Sequence, residues 1–108
     1  MGKFFITAAI PYVNAKPHIG HALEFIQTDV ISRYRKMLGD EVLKLSGGDE
    51  NALKNVQAAE KEGLPLQEFI NKNTELFHVL SKKLNAEFDV WQKGSDTKHH
   101  YPSSQELW

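Results

Sequence analysis

His18 and His21 stand three residues apart around Gly20, with Pro17 immediately ahead of them. Neutral imidazoles donate hydrogen bonds, and a three-residue spacing places two such rings on one side of a helical turn. The apolar run Phe4–Ile10 reads as a parallel strand buried on both faces, which Pro11 closes, and an amphipathic stretch follows the histidines. Strand, tight loop and helix start form the order that a phosphate site needs. The first helical turn offers unpaired N–H groups and the positive end of the helix dipole. Gly20, without a Cβ, lets a phosphate approach the backbone. These residues predict ATP binding. The simpler alternative is a pair of surface histidines near a helix start.

A second polar group, Asp49-Glu50, follows Gly47-Gly48. Asp49 suits the N-cap of a following helix, a common role for an aspartate after two glycines. Glu50 reads as a solvated acid in a first helical turn. Tyr12 and Ile10 either line a pocket or end the strand within the core. His99-His100 lacks further metal ligands nearby, so no metal site is expected there. His78 reads as a boundary residue, and Trp91 and Trp108 as packing residues.

The elements that must position these groups follow from periodicity. From Ile19 to Leu38 a wide apolar stripe (Ala22, Leu23, Phe25, Ile26, Val30, Ile31, Tyr34, Met37, Leu38) predicts a helix that leaves Ser32 outside it, with Gly39 at its end. Glu41–Leu45 predicts a second strand, with Ser46-Gly47-Gly48 as a loop, so the first three elements make a right-handed βαβ unit. A helix over Glu50–Glu62 is expected to bury Leu53, Val56 and Ala59 and to stop near Gly63. Another after Pro65 buries Leu66, Phe69, Ile70, Leu76, Phe77, Leu80 and Leu84. Phe88 and Val90 alternate in a short strand, and Ser103-x-x-Glu106 forms a capping box opening a further helix. The chain ends at Trp108 barely one turn later, so the domain is expected to continue. Ligands of open α/β sheets bind beyond the carboxyl ends of the strands, which places Tyr12, Asn14, His18, His21, Asp49 and Glu50 on one rim.

With 108 residues, this is at most one small domain. A net charge of −1 without a Lys/Arg-rich run provides no general attraction to nucleic acid. The absence of cysteine rules out a disulfide framework or thiolate zinc site within these residues and fits a reducing compartment. No segment reads as a membrane span or as a signal peptide, and a cytoplasmic location is expected.

The stretch Ala8-Ala9-Ile10-Pro11-Tyr12-Val13-Asn14-Ala15-Lys16-Pro17-His18-Ile19-Gly20-His21 resembles the opening of class I aminoacyl-tRNA synthetases, and their methionyl branch above the others. The likeness continues through Asp29–Tyr34, Gly39–Val42, Gly47–Glu50 and Val56–Ala59, and more loosely through Phe88-Asp89 and Lys98–His100. It implies a Rossmann-like α/β fold, with residues 1–108 as the N-terminal portion of the catalytic domain. The implied parent reaction activates methionine with ATP to methionyl-adenylate and transfers it to tRNA(Met). ATP would be a substrate carrying its own Mg2+, with no zinc site in this stretch. By the same resemblance His18 and His21 are catalytic and bind ATP phosphates, with Asn14 and Gly20 beside them. Ile10 and Tyr12 line the methionine pocket, and Asp49 receives the ammonium group.

Where the family pattern resembles Thr-Gly-Thr-Asp-Glu-His-Gly, this chain has Ser46-Gly47-Gly48-Asp49-Glu50-Asn51-Ala52, with Asn51 for histidine and Ala52 for glycine. Nothing resembles the Lys-Met-Ser-Lys-Ser loop, the second half of the nucleotide fold, the zinc-bearing insertion or the anticodon-binding domain. The chain alone is therefore expected not to aminoacylate tRNA, and to self-associate through an exposed apolar edge at Phe4–Ile10. The alternatives are a leucyl-type class I synthetase, a nucleotidyltransferase sharing the histidine loop, and a non-catalytic module binding ATP or a partner protein.

Overall fold

The computed structural model describes residues 2–108, in the order β1 (Lys3–Thr7), α1 (Ile19–Met37), β2 (Glu41–Gly48), α2 (Leu53–Glu62), α3 (Leu66–Lys83), β3 (Val90–Lys93) and α4 (His100–Leu107). The strands form one parallel sheet in the order β1-β2-β3. Parallel neighbours need long crossovers; α1 links β1 to β2, and α2 with α3 links β2 to β3. The expected α/β architecture is present.

Phe25 of α1 and Ile70 and Phe77 of α3 share one buried cluster with Ala8, Val13 and Ala86, so these two helices lie over the same core. Phe25 meets Phe88 edge-on, with ring centroids 5.1 Å apart. Beneath α1, Lys44 of β2 is buried and its Nζ lies 2.5 Å from Asp29 Oδ1.

Several sequence expectations are corrected. β1 lies at the sheet edge as expected, but it ends at Thr7, and Phe5 and its register partner Leu43 are 59% and 47% exposed, so the strand is not buried on both faces. The buried residues of α1 are Phe25, Thr28 and Ser32, whereas Leu23, Val30, Ile31, Tyr34 and Met37 are exposed. Among the described residues, β1, β2 and α3 cover one side of α1, and the rest of its apolar stripe meets no cover. β2 runs on through Ser46-Gly47-Gly48 instead of turning there. A Cβ on Gly47 would lie 1.7 Å from the Gln92 carbonyl oxygen, so glycine here permits strand pairing instead of ending it. α2 starts at Leu53, which is exposed, and buries Asn55 and Ala59. The C-cap of α2 is Gly63, in the left-handed region at φ 68°. α4 starts at His100 without a side-chain cap; Ser103 lies inside it and donates to the His99 carbonyl.

Candidate functional site

The loop leaving β1 is tied to three elements before it reaches α1. The Ala9 amide donates to Glu24 Oε1 on α1 at 2.9 Å. The Pro11 carbonyl accepts from the Asp49 amide at 2.8 Å, and Tyr12 pairs with Asp49 in a parallel bridge beyond the end of β2. Asn73 of α3 donates from Nδ2 to the carbonyl of fully buried Val13 at 2.7 Å. The loop holds its shape through these bonds. It is not left to its own turn propensities.

At the end of that loop His18 is the N-cap of α1, in extended conformation. Its Nδ1 accepts from the Gly20 amide, and Nδ1 of His21 accepts from the His18 amide, each at 3.1 Å. This is a capping box built from two histidines in place of the usual serine and glutamate. Accepting at Nδ1 assigns the proton of each neutral ring to Nε2. Both Nε2–H groups are thereby left as donors at a helix N-terminus. The rings sit 3.9 Å apart, and His21 packs edge-on against Phe77 at 4.8 Å. Burial, then the neighbouring His18, lower the His21 pKa against a smaller upward pull from Glu24, which favours the neutral ring. A Cβ on Gly20 would lie 2.9 Å from Cε1 of His18. The glycine therefore makes room for the capping ring itself.

His18 and His21 line a cleft of about 520 Å³ together with Ile10, Tyr12, Asn14 and Lys16. Asp49 lines an adjoining cavity of about 240 Å³ that shares Ile10 and also meets Gln92, Gly94 and His100. Ile10 and Tyr12, 43% and 48% exposed, are thus pocket walls and not strand-end core, with Ile10 at the boundary of the two spaces. Asp49 does not cap α2, whose N-cap is Ala52 without a side-chain bond. Its carbonyl is instead held by Asn55 Nδ2 at 3.0 Å. Gly20 lines neither cavity but supports His18 as described.

Glu50 departs most from the sequence reading. It is 3% exposed, not solvated, and lies ahead of α2 rather than in its first turn. Its carboxylate accepts from Thr74 Oγ1 of α3 at 2.9 Å, from the Ser95 amide at 3.1 Å and from the Ser95 hydroxyl. Asn51, the residue that replaces a histidine of the family pattern, donates to the Gly94 carbonyl at 2.8 Å. Asn73 and Thr74 carry a signal that periodicity misses. They are polar residues between Ile70 and Phe77 on the buried face of α3, where a hydrogen-bond partner is required. Among the described residues there is no group of three or more His, Asp or Glu side chains able to hold a metal, and no helix is long and apolar enough to cross a membrane.

Residues 4–108 match the family model described as class I tRNA synthetases (M). The chain is 42% identical over 106 residues to a methionine–tRNA ligase of Brucella suis, covering 98% of the chain and 20% of that relative. It is 41% identical over 108 residues to the Mycobacterium bovis methionine–tRNA ligase, covering all of the chain and 21% of the relative. Among solved structures it superimposes on Mycobacterium tuberculosis methionyl-tRNA synthetase in complex with methionyl-adenylate. The TM-score is 0.95 at 40% identity, again over the whole chain and 21% of the other. The chain therefore spans about a fifth of the length of the curated relatives it matches.

Proposed function

This chain belongs to the class I (M) tRNA synthetases, and on that premise we propose that it forms the N-terminal part of a methionine-activating catalytic domain. The observation that carries this reading is the reciprocal histidine cap. It presents two Nε2–H donors at the α1 N-terminus, in the same cleft as Ile10, Tyr12 and Asn14. The Asp49 carboxylate lies one shared residue away.

The substrates are ATP, bringing Mg2+ on its phosphates, and methionine. Asp49 receives the methionine ammonium by a charge-assisted hydrogen bond, and Ile10 and Tyr12 wall the thioether. The methionine carboxylate oxygen attacks the α-phosphorus. A P–O bond forms, the bond to the bridging oxygen breaks, and pyrophosphate leaves with its electron pair. His18 and His21, with the α1 N-terminus and Asn14, donate to the phosphate oxygens as charge develops on them. Neutral rings suit this role, since each offers a fixed donor and needs to take up no proton. No covalent intermediate on the protein is required. Transfer to tRNA(Met) uses surfaces found in the other four-fifths of the relatives, and the cytoplasm is the proposed compartment.

The test grafts this chain in place of the matching fifth of the M. tuberculosis methionyl-tRNA synthetase and measures ATP–pyrophosphate exchange with methionine and with leucine. Methionine-dependent exchange is expected. A folded chimera that binds ATP without exchange indicates a binding module instead, and exchange with leucine in preference indicates a leucyl-type site.

A further inference from the structure

Asp49 can receive an ammonium group only if its carboxylate is held facing the pocket, yet it sits in a four-residue link between β2 and α2. One side of this link is fastened at the Asp49 backbone, whose amide donates to the Pro11 carbonyl and whose carbonyl accepts from Asn55 Nδ2. The other side is fastened by the next residue. Glu50 points into the protein, where three donors converge on it from Thr74 of α3 and Ser95 in the loop after β3. A carboxylate accepts at both oxygens and donates from neither, which matches three donors and no acceptor.

We propose that Glu50 is a positioning residue: by locking the β2 loop to the β3 loop and to α3, it sets the Asp49 carboxylate against the substrate ammonium. The role rests on the methionine reading above and adds to it a residue that touches no substrate. Asp49 pairs with Tyr12 in a parallel bridge, and neighbouring side chains along such a strand segment project to opposite sides. Seating Glu50 inward therefore turns Asp49 outward. The glycines around the lock show how little slack it has. A Cβ on Gly48 would meet Val13 Cγ1 at 3.1 Å and Thr74 Oγ1 at 3.2 Å, and one on Gly94 would meet the Glu50 amide nitrogen at 3.3 Å. Asn51, bound to the Gly94 carbonyl, closes the same seam one residue later.

Glu50→Gln keeps the volume but presents an NH2 to one of the donors, so at least one of the three bonds is lost. Two readouts on the chimeric enzyme described above test the role. The first is amide hydrogen exchange, which is expected to quicken at Asp49, Gly94 and Ser95 while β1 and the middle of α1 keep wild-type protection. The second is ligand-observed NMR titration of the chimera with L-methionine and with its deaminated analogue, γ-methylthiobutyrate. Glu50→Gln is expected to weaken methionine about tenfold, the loss of one well-placed charged hydrogen bond, and to leave the analogue unchanged. Thr74→Val, which removes one donor and keeps the carboxylate, is expected to give the same pattern at smaller size.

Unchanged exchange at Asp49, or equal weakening of both ligands, overturns the proposal. If the wild-type chimera binds neither ligand, the methionine reading fails, and the exchange pattern alone decides whether Glu50 holds Asp49.

Discussion

Replacing Asp29 by asparagine is expected to destabilise the fold by about 3 kcal/mol at neutral pH, through the buried cation it strands. Lys44 Nζ lies 2.5 Å from Asp29 Oδ1, with side-chain exposures of 5% and 15%. The other contact found for that ammonium is the Phe88 ring, 5.2 Å away. Asp29 also binds Arg33 at 2.6 Å, but Arg33 is 56% exposed, so that pair contributes only about 0.3–0.5 kcal/mol. Lys44→Met is less harmful, at about 1 kcal/mol, because Asp29 keeps Arg33 and some water while the stem volume is retained. Adding Lys44→Met to Asp29→Asn should then recover most of the loss.

The pH dependence carries a definite sign. Burial acts to raise the Asp29 pKa, but the hydrogen bonds from Lys44 and Arg33, and their charges, outweigh it and lower it. A depressed carboxylate contributes fully above its unfolded value of 3.8 and loses that contribution as pH falls through the lowered native value. The gap between wild type and Asp29→Asn should therefore hold from neutral pH to about that value and close only below it. Urea unfolding of the four proteins across that range is the assay. An Asp29→Asn variant no less stable than Lys44→Met, or a double variant as unstable as Asp29→Asn, would refute the stranded-cation reasoning.

Gly47→Ala places a Cβ 1.7 Å from the Gln92 carbonyl oxygen. It should cost at least about 3 kcal/mol and strip exchange protection from Trp91–Lys93; retained protection would mean that the strands can separate at little cost. In the chimeric enzyme, Asp49→Ala should weaken methionine by about 1.5–3 kcal/mol with ATP use little changed. His21→Ala should instead slow adenylation with little effect on methionine affinity, and equal effects of both changes on both substrates would count against separate roles. The unpaired edge of β1 and the exposed Phe5 beside it should make the isolated chain self-associate at micromolar concentrations. Sedimentation should show this weakening in Phe5→Lys, whereas a monomer with strongly protected Lys3–Thr7 amides would oppose it.

What was legible from sequence was what is local or topological. The histidine cap is closed within four residues, so spacing alone locates it, although its use of Nδ1, and hence the free Nε2–H, needs coordinates. The shared rim follows from a rule about strand ends, and Tyr12, Asn14, His18, His21 and Asp49 do line cavities there, while Glu50 turns inward. Longer-range outcomes were not legible. Whether Ser46-Gly47-Gly48 turns or pairs depends on a carbonyl at Gln92, and whether Glu50 faces water depends on Thr74 and Ser95.

The α1 stripe illustrates a different limit. Its period announces a helix with an apolar face, and α1 runs where that period says. Periodicity, however, measures a side chain's preference for burial and carries no information about which element supplies the cover. Here β2 and α3 cover the side that carries Phe25, Thr28 and Ser32, and the ion pair of Asp29 with Lys44 lies on that same side. Val30, Tyr34 and Met37 meet no cover among the described residues. A polar residue on an apolar helix is thus more informative about orientation than its neighbours: an apolar side chain can be buried against almost anything, whereas Asp29 can be half-buried only where a cation meets it. The same logic holds for Asn73 and Thr74 on α3, whose bonds to Val13 and Glu50 turn that helix toward the site.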